Sequence, residues 1–313
     1  MTRTNSIQTP KELVEEGVSI IGAGAMGAAY TARLSKLGVR VTIWNRTLSK
    51  ADSVAKASPR VKVAGTLADC VRASKSVIVA CSPAPPAIGW VCEQLASTVR
   101  DKNVIFIVDS GLAQARMMEE LVFEKGRADS VTNAALFGSA AGVTEGQAIL
   151  NASGKTAMAG TVEERVLPLL GLFGATAYHP GGAATAALFA MAGHLAFMPL
   201  AYGLMHYTAL MDKGGVDPKL ALGYFQTTTR IVLDVFAPML ASAFQKRDYS
   251  EFFFSHGLAM DIEDCVMETC KTLKVDPRLA ELMSSYHQEA MQDPALAAKS
   301  FHSVHELIAR ARK

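Results

Sequence analysis

Three glycines, Gly22, Gly24 and Gly27, stand at the spacing that lets a chain wrap a pyrophosphate. They follow the apolar run Val18–Ile21 directly and open a helical pattern that continues to about Leu37, where Gly38 stops it. In such a strand–turn–helix setting the first glycine permits a tight turn and the second lets backbone approach the phosphates. The third lets helix and strand pack closely. Free amides at the helix N-terminus, with the partial positive charge of its dipole, complete the cradle. The expected contact set is Gly22, Ala23, Gly24, Ala25, Met26 and Gly27, joined by Cys81 and Ser82 at the end of a later strand. The second strand, "RVTIWN", runs into Asn45-Arg46-Thr47. An NAD-preferring site puts a carboxylate about there, on the ribose 2′-hydroxyl. Here Asn45 and Thr47 can donate hydrogen bonds to a 2′-phosphate, and Arg46 can pair with it while stacking on the adenine. Lys50 reaches the same region. A solvated surface arginine is the plainer reading, but the position after the second strand favours NADPH.

Those residues require a parallel sheet to hold them. Residues 74–82, 103–110 and 130–137 read as further buried strands separated by helices, and two shorter candidates lie near 148–160. Strands alternating with helices indicate a doubly wound parallel sheet. After His179 the pattern is helical throughout. One long helix, bent at Pro199, precedes segments over 217–246, 250–274 and 277–310, and residues 251–254 ("EFFF") read as a buried helix face. The fold class expected is α/β: an N-terminal Rossmann domain, a long interdomain helix and an all-helical C-terminal domain. The divisions are a polar tail over 1–16, the Rossmann domain over 17–178, and the linking helix with a dimerisation and substrate domain over 179–313.

Half of the 313 residues are hydrophobic and 19% are charged, with a net charge of +2, which gives no reason to expect nucleic acid or an anionic membrane as partner. The five cysteines (Cys70, Cys81, Cys92, Cys265, Cys270) have neither zinc-ligand nor CxxC spacing, so no metal is expected, and a reducing cytoplasm suits them. The N-terminal residues lack the apolar run of a secretory signal, which agrees with a cytoplasmic expectation. Between Arg165 and Asp212 there is no Asp, Glu, Lys or Arg. His179-Pro180-Gly181-Gly182 and Pro199 interrupt this stretch, so a helix buried by protein is expected rather than a membrane span.

"GAGAMGAAYTARL" together with "IWNRT" resembles the β-hydroxyacid dehydrogenase superfamily, with its 6-phosphogluconate dehydrogenase-like NADP-binding fold, and most of all its imine reductase branch. "NAALFGSAAGVTEGQAIL", "ASGKTAMAG" and the run from Gly181 to Leu210 extend the likeness along most of the chain. The resemblance implies an interlocked homodimer, each active site built from both chains, and NADPH-dependent reduction of a C=N bond. Hydroxyacid dehydrogenases carry a catalytic Lys on the linking helix with an Asn four residues on, and imine reductases put Asp or Tyr at the Lys position. Here those positions are Ala190 and His194, on one helix face. The substrate-binding Ser-Gly-Gly of the hydroxyacid enzymes reads Phe137-Gly138-Ser139. Ser110 matches a Ser/Thr region near the nicotinamide. The candidate catalytic positions are therefore His194, Ser110 and Ala190.

A methyl group at position 190 restricts the chemistry. Carbonyl reduction makes an alkoxide that needs an acid or an oxyanion donor. An iminium ion arrives already charged, and hydride transfer neutralises it, so positioning against the cofactor suffices. His194 is either a substitute acid or a satisfied core residue. Tyr178 and Tyr202 read as packing groups, Phe189, Phe197 and Met198 as pocket walls. His179, His206 and His256 read as structural, Asp261 and Asp264 as solvated charges. The expected function is NADPH-dependent reduction of a small cyclic imine or iminium. The alternatives are a carbonyl or β-hydroxyacid-type reductase with altered proton donation, and a catalytically retired NADPH-binding protein.

Overall fold

The computed structural model describes residues 9–250 and 254–310, so Glu251–Phe253 of the "EFFF" segment lie outside the described residues. The chain divides into two compact units, Met1–Leu195 and Ala196–Lys313.

The first unit is built on an eight-stranded sheet: β1 (Val18–Ile21), β2 (Val41–Trp44), β3 (Val61–Val63), β4 (Ser76–Val79), β5 (Asn103–Phe106), β6 (Ser130–Phe137), β7 (Ala148–Thr156) and β8 (Gly174–Tyr178). Their spatial order is β3-β2-β1-β4-β5-β6-β7-β8. Helices α1 (Lys11–Glu16), α2 (Ala25–Lys36), α3 (Leu48–Ala55), α4 (Leu67–Ala73), α5 (Pro85–Thr98), α6 (Leu112–Met117), α7 (Ala140–Glu145) and α8 (Leu167–Gly171) connect them. The central strands are buried on both faces, as crossover helices require. Ile20, Ile78 and Ile105 enter one core layer, and Ile21, Val77, Val79, Val104 and Phe106 enter the other.

The sheet departs from the all-parallel expectation at one seam. β6 and β7 pair antiparallel, with Ser130 opposite Thr156, while β7 and β8 pair parallel. A parallel crossover needs a dozen or more residues, and the 138–147 connection is too short for one. Of the two short strands expected near 148–160, the first is β7, and the second is not a strand: β7 ends at Thr156 and 157–160 is a turn. The edge strands β3 and β8 carry no long apolar run and were not foreseen. The polar-tail reading of residues 1–16 also needs correction where the chain is described. Lys11–Glu16 is helical, Leu13 is buried in the core, and Glu16 pairs with Arg165 at 3.1 Å.

Helix α9 (Ala183–Lys213) starts in the first unit and runs past the division, with Pro199 inside it. Its start is pinned by the β6–β7 seam. Asn133 and Ser153 are register partners there. Asn133 Nδ2 donates to the Ala183 carbonyl at 3.2 Å, and Ser153 Oγ accepts from the Ala186 amide at 2.7 Å. The Glu119 carboxylate accepts from the Ala183 amide. Glu119 and Ser153 thereby satisfy amides that a helix start otherwise leaves open. By length and composition alone α9 could cross a membrane. Its buried residues, Ala183, Ala186, Ala187 and Ala190, all lie in the first unit, so within one chain the rest of the helix is not buried on all sides as expected.

The second unit contains the remainder of α9 with α10 (Pro218–Ile231), α11 (Ala237–Lys246), α12 (His256–Leu273), α13 (Arg278–Gln292) and α14 (Val304–Ala309). The helices expected over 250–274 and 277–310 are shorter than read. Ser255 Oγ caps α12 by accepting from the Leu258 amide at 3.1 Å. Asp293-Pro294 ends α13, with Asp293 accepting from the Ala295 amide at 2.8 Å. His256 is a fully buried core residue, 3.0 Å from both His287 Nδ1 and Ser303 Oγ. Burial keeps both imidazoles toward the neutral form. Glu263 Oε1 lies 3.6 Å from His287, and burial, with Asp264 nearby, pushes the Glu263 carboxyl up to about 7. A carboxyl raised on folding holds its proton longer in the folded chain, so stability falls as pH rises from the ordinary glutamate range through about 7. Glu263→Gln is therefore expected to stabilise the protein by about 1–3 kcal/mol at pH 8 and to have little effect at pH 4. Denaturant melts of both proteins across that range check this; an equal effect at both ends would contradict it.

Candidate active site

The glycine turn has the geometry its sequence implies. Gly22 has φ +114, and a side chain there would collide with the Ala80 carbonyl of the adjacent strand end. A side chain on Gly27 would meet the Gly22 carbonyl. Each is required by a close approach of backbone to backbone. Gly24 differs, because a Cβ added there meets nothing within 4 Å. That space faces the N-terminus of α2, a twelve-residue helix capped by Gly24 without a side-chain hydrogen bond. It can take an anion, and a larger residue would fill it.

On one side of this turn is a cavity of about 270 Å³ that brings together Gly22, Gly24, Asn45, Arg46, Thr47, Lys50, Cys81 and Ser82. Asn45 has a positioning role: its Oδ1 accepts from the Ala23 amide at 3.0 Å and its Nδ2 donates to the Thr47 carbonyl at 3.0 Å. It thereby ties the glycine turn to the loop carrying the cations. Arg46 and Lys50 are exposed, and neither has an ion-pair partner among the described residues. Trp44 and Trp90 stack with centroids 6.0 Å apart at 21° and form the wall of the cavity. Trp90 comes from α5, and nothing in the sequence around it marked it. Two free cations beside aromatic walls, with no carboxylate lining the cavity, fit an adenosine bearing a 2′-phosphate.

On the other side of the turn, a second cavity of about 220 Å³ is lined by Met26, Tyr30, Cys81, Asp109, Leu136 and Gly138 among others. It shares Ala80 and Cys81 with the first. The two flank the carboxyl ends of β1 and β4, where open α/β sheets bind ligands. A dinucleotide lying across the turn would put its second base here. Tyr30 is buried, its phenol held far above the usual range by burial and then by the Asp109 charge. Burial pushes the Cys81 thiol up to about 11, so it is no nucleophile near neutrality.

The expected catalytic positions separate. Ser110 is fully buried, and its hydroxyl accepts from Asn133 Nδ2 at 2.9 Å. In this position it seats the loop after β5. Ala190 is 2% exposed on the inward face of α9. His194, one turn on, is half exposed, with Nε2 3.4 Å from Oδ2 of Asp109. Asp109 is the functional candidate that sequence reasoning missed. The available signal was a charged residue at the end of a buried strand, immediately before Ser110. Ser139 caps α7 by accepting from the Gly142 amide at 3.1 Å. His179 Nε2 donates to Asn151 Oδ1 at 2.9 Å and stacks on Phe189 with centroids 4.3 Å apart, which gives both structural work. Tyr178 donates to the Gly154 carbonyl at 3.3 Å. Phe197, Met198 and Tyr202 belong to the second unit and are exposed on it. Asp261 and Asp264 are exposed on α12. Among the described residues there is no cluster of metal-ligating side chains.

Comparison with known proteins identifies this arrangement. The family model for the NAD binding domain of 6-phosphogluconate dehydrogenase matches residues 17–181. The chain belongs to this family. Members of the 6-phosphogluconate dehydrogenase NAD-binding family are nicotinamide-dependent oxidoreductases, and the match covers every strand of the sheet and both cavities beside the glycine turn. Among curated relatives, an NADPH-dependent reductive aminase of Aspergillus oryzae is 24% identical over 212 residues, covering 68% of this chain and 69% of the relative. A glyoxylate/succinic semialdehyde reductase of Arabidopsis thaliana is 24% identical over 203 residues, 64% of this chain and 68% of the relative. Among solved structures, an imine reductase from Streptomyces aurantiacus superposes with a TM-score of 0.84 at 21% identity, covering 94% of this chain and 100% of the other. A reductive aminase from Aspergillus terreus, in complex with NADPH and ethyl levulinate, gives 0.81 at 20% identity over 94% and 99%. At these identities the likeness establishes the fold.

Proposed function

We propose that the protein is an NADPH-dependent oxidoreductase that reduces a C=N bond, in a cyclic imine or iminium, to an amine. One observation carries the reading: a cavity with two unpaired cations lies on one side of the glycine turn, the cavity on the other side is lined by Asp109, which His194 of α9 approaches, and the residue one turn before His194 is the buried methyl of Ala190. When bound, the reduced nicotinamide supplies the hydride. The chain's residues do the rest. Gly24 and the first turn of α2 receive the pyrophosphate, Arg46 and Lys50 hold the 2′-phosphate, and the cavity beside Met26 and Asp109 receives the second base. The set Gly22, Ala23, Gly24, Ala25, Met26, Gly27, Asn45, Arg46, Thr47, Lys50, Cys81 and Ser82 is the proposed cofactor surface, with Ser110 behind it. His194 is the proposed proton source for neutral imines, which need one. An iminium needs only orientation. The fold likeness to imine reductases and reductive aminases supports the reading, as does the Aspergillus oryzae relative. NADPH oxidation followed against cyclic imines, iminium salts, ketones and keto acids tests it, and the first two classes should be the substrates.

A second reading, carbonyl reduction, is favoured by the His194–Asp109 contact. An imidazolium beside a carboxylate can protonate an alkoxide. The Arabidopsis relative is a reductase of aldehydes. Faster turnover of keto acids or aldehydes than of any imine in the same screen would establish this reading over the first.

The proposed assembly is a homodimer. Leu195, Leu200, Tyr202 and Met205 of α9 are 78%, 46%, 53% and 60% exposed on the single chain. An apolar helix face of this length needs cover, and a second copy of the chain, interlocked through it, supplies that cover. Sedimentation is expected to give a dimer at micromolar concentration, and a stable monomer would contradict both the dimer and an active site shared between chains.

A further inference from the structure

We infer that Asp109 is the anionic anchor for a cationic substrate, its carboxylate standing in for the one that position 190 lacks. The inference rests on the C=N reading of the same site and assigns the group that recognises the substrate's charge.

The argument begins with what Asp109 lacks. Elsewhere in this unit, partly buried carboxylates have a permanent cation: Glu119 pairs with Lys155 at 3.2 Å and Asp129 with Lys75 at 2.7 Å. Among the described residues Asp109 has neither a Lys nor an Arg partner, and its ion-pair contact is His194 Nε2 at 3.4 Å, which is a cation only when protonated. The loop that presents the side chain is seated by the next residue, Ser110, which is fully buried and held by Asn133. Asp109 is 42% exposed and lines the cavity beside Met26, which the proposed function assigns to the second base of the dinucleotide. The other titratable groups lining that cavity are Tyr30 and Cys81, which burial keeps protonated and neutral through the neutral range. A carboxylate with no permanent partner, in a cavity otherwise lined by apolar and neutral groups, attracts a cation. An iminium placed against the nicotinamide is such a cation. A neutral carbonyl is not, and the alkoxide it becomes would be repelled.

His194, 3.4 Å from this anchor, is the neighbour a substrate cation must compete with when the imidazole is cationic.

The test uses the full chain saturated with NADPH and two probes: a non-reducible cyclic quaternary ammonium ion, followed by calorimetry, and an N-alkyl cyclic iminium salt of the same shape, followed by turnover. Asp109→Asn is expected to weaken binding of the ammonium ion about tenfold or more and to raise KM for the salt in parallel. The loss should fall on KM rather than on kcat, with the melting temperature reporting that the fold is intact. Asp109→Glu should restore part of the loss. Unchanged ammonium binding in Asp109→Asn overturns the inference. Asp109-dependent ammonium binding without turnover of any iminium would uphold the anchor and overturn the C=N reading. Iminium turnover with Asp109-independent binding would do the reverse.

Discussion

A permanently charged N-alkyl cyclic iminium salt is expected to be reduced about 10²–10⁴ times faster than the ketone of the same shape, this being the range that a missing acid or oxyanion donor costs. The cause is the methyl at position 190, buried on the face of α9 that meets the first unit. The ketone must gather negative charge on oxygen with no donor at Ala190 and with the Asp109 carboxylate lining the adjacent cavity. The iminium loses charge in the same step. Its kcat should vary little with pH, whereas a neutral, weakly basic imine should be slower and should improve as pH falls towards its own protonation. Ala190→Asp adds a proton donor or a second anion and should alter turnover of neutral imines without creating hydroxyacid oxidation, because the lysine of those enzymes is still missing. His194→Ala separates the proton sources: a loss of about 10²-fold or more with neutral imines, and little with the salt, would make His194 the acid. Steady-state rates for the three substrate types across pH, in the three proteins, check each element. Equal rates for salt and ketone would refute the account of Ala190.

Replacing Arg46 by alanine is expected to weaken NADPH about tenfold to a hundredfold and to leave NADH nearly untouched, the worth of one charge-assisted contact to the 2′-phosphate. Arg46 and Lys50 line the same cavity and no carboxylate lines it with them. In the unmodified protein NADPH should bind far more tightly than NADH. Titration of the cofactor's fluorescence gives both constants, and similar affinities for the two would contradict the assignment. Because Lys50 lines the same cavity, the double variant should lose more than Arg46→Ala alone, and added salt should weaken NADPH more than NADH.

The parts of this architecture that the sequence disclosed are those with a local cause. The glycine turn is dictated by backbone collisions at Gly22 and Gly27, and such collisions force the residue type. The central strands are continuous apolar runs because both their faces are covered. The β6–β7 reversal was hidden because direction depends on connection length and on what the far strand pairs with, which no residue type encodes. Edge strands β3 and β8 were missed because a half-covered strand needs few apolar residues. The residues 11–16 were read as tail because one leucine among charges carries little pattern, although Leu13 is enough to dock the helix. In the site, the likeness to the imine reductase branch led to Ala190 and His194, and spacing put them on one face. Asp109 was not legible because its significance lies in the approach of His194 from a residue 85 positions later (194 − 109), and that is a tertiary fact. Ser110 was singled out by position, and its burial against Asn133 turns it from a contact residue into a support for its neighbour.

The most direct measurement follows the hydride. NADPH carrying deuterium at the transferred position of C4 is incubated with the protein and an N-alkyl cyclic iminium salt, and the amine is analysed by mass and by NMR. The account predicts one deuterium per molecule of amine, on the former C=N carbon, with one NADPH consumed. Oxidation of NADPH without deuterium at that carbon, or deuterium appearing only in the alcohols made from keto acids or aldehydes, would contradict it.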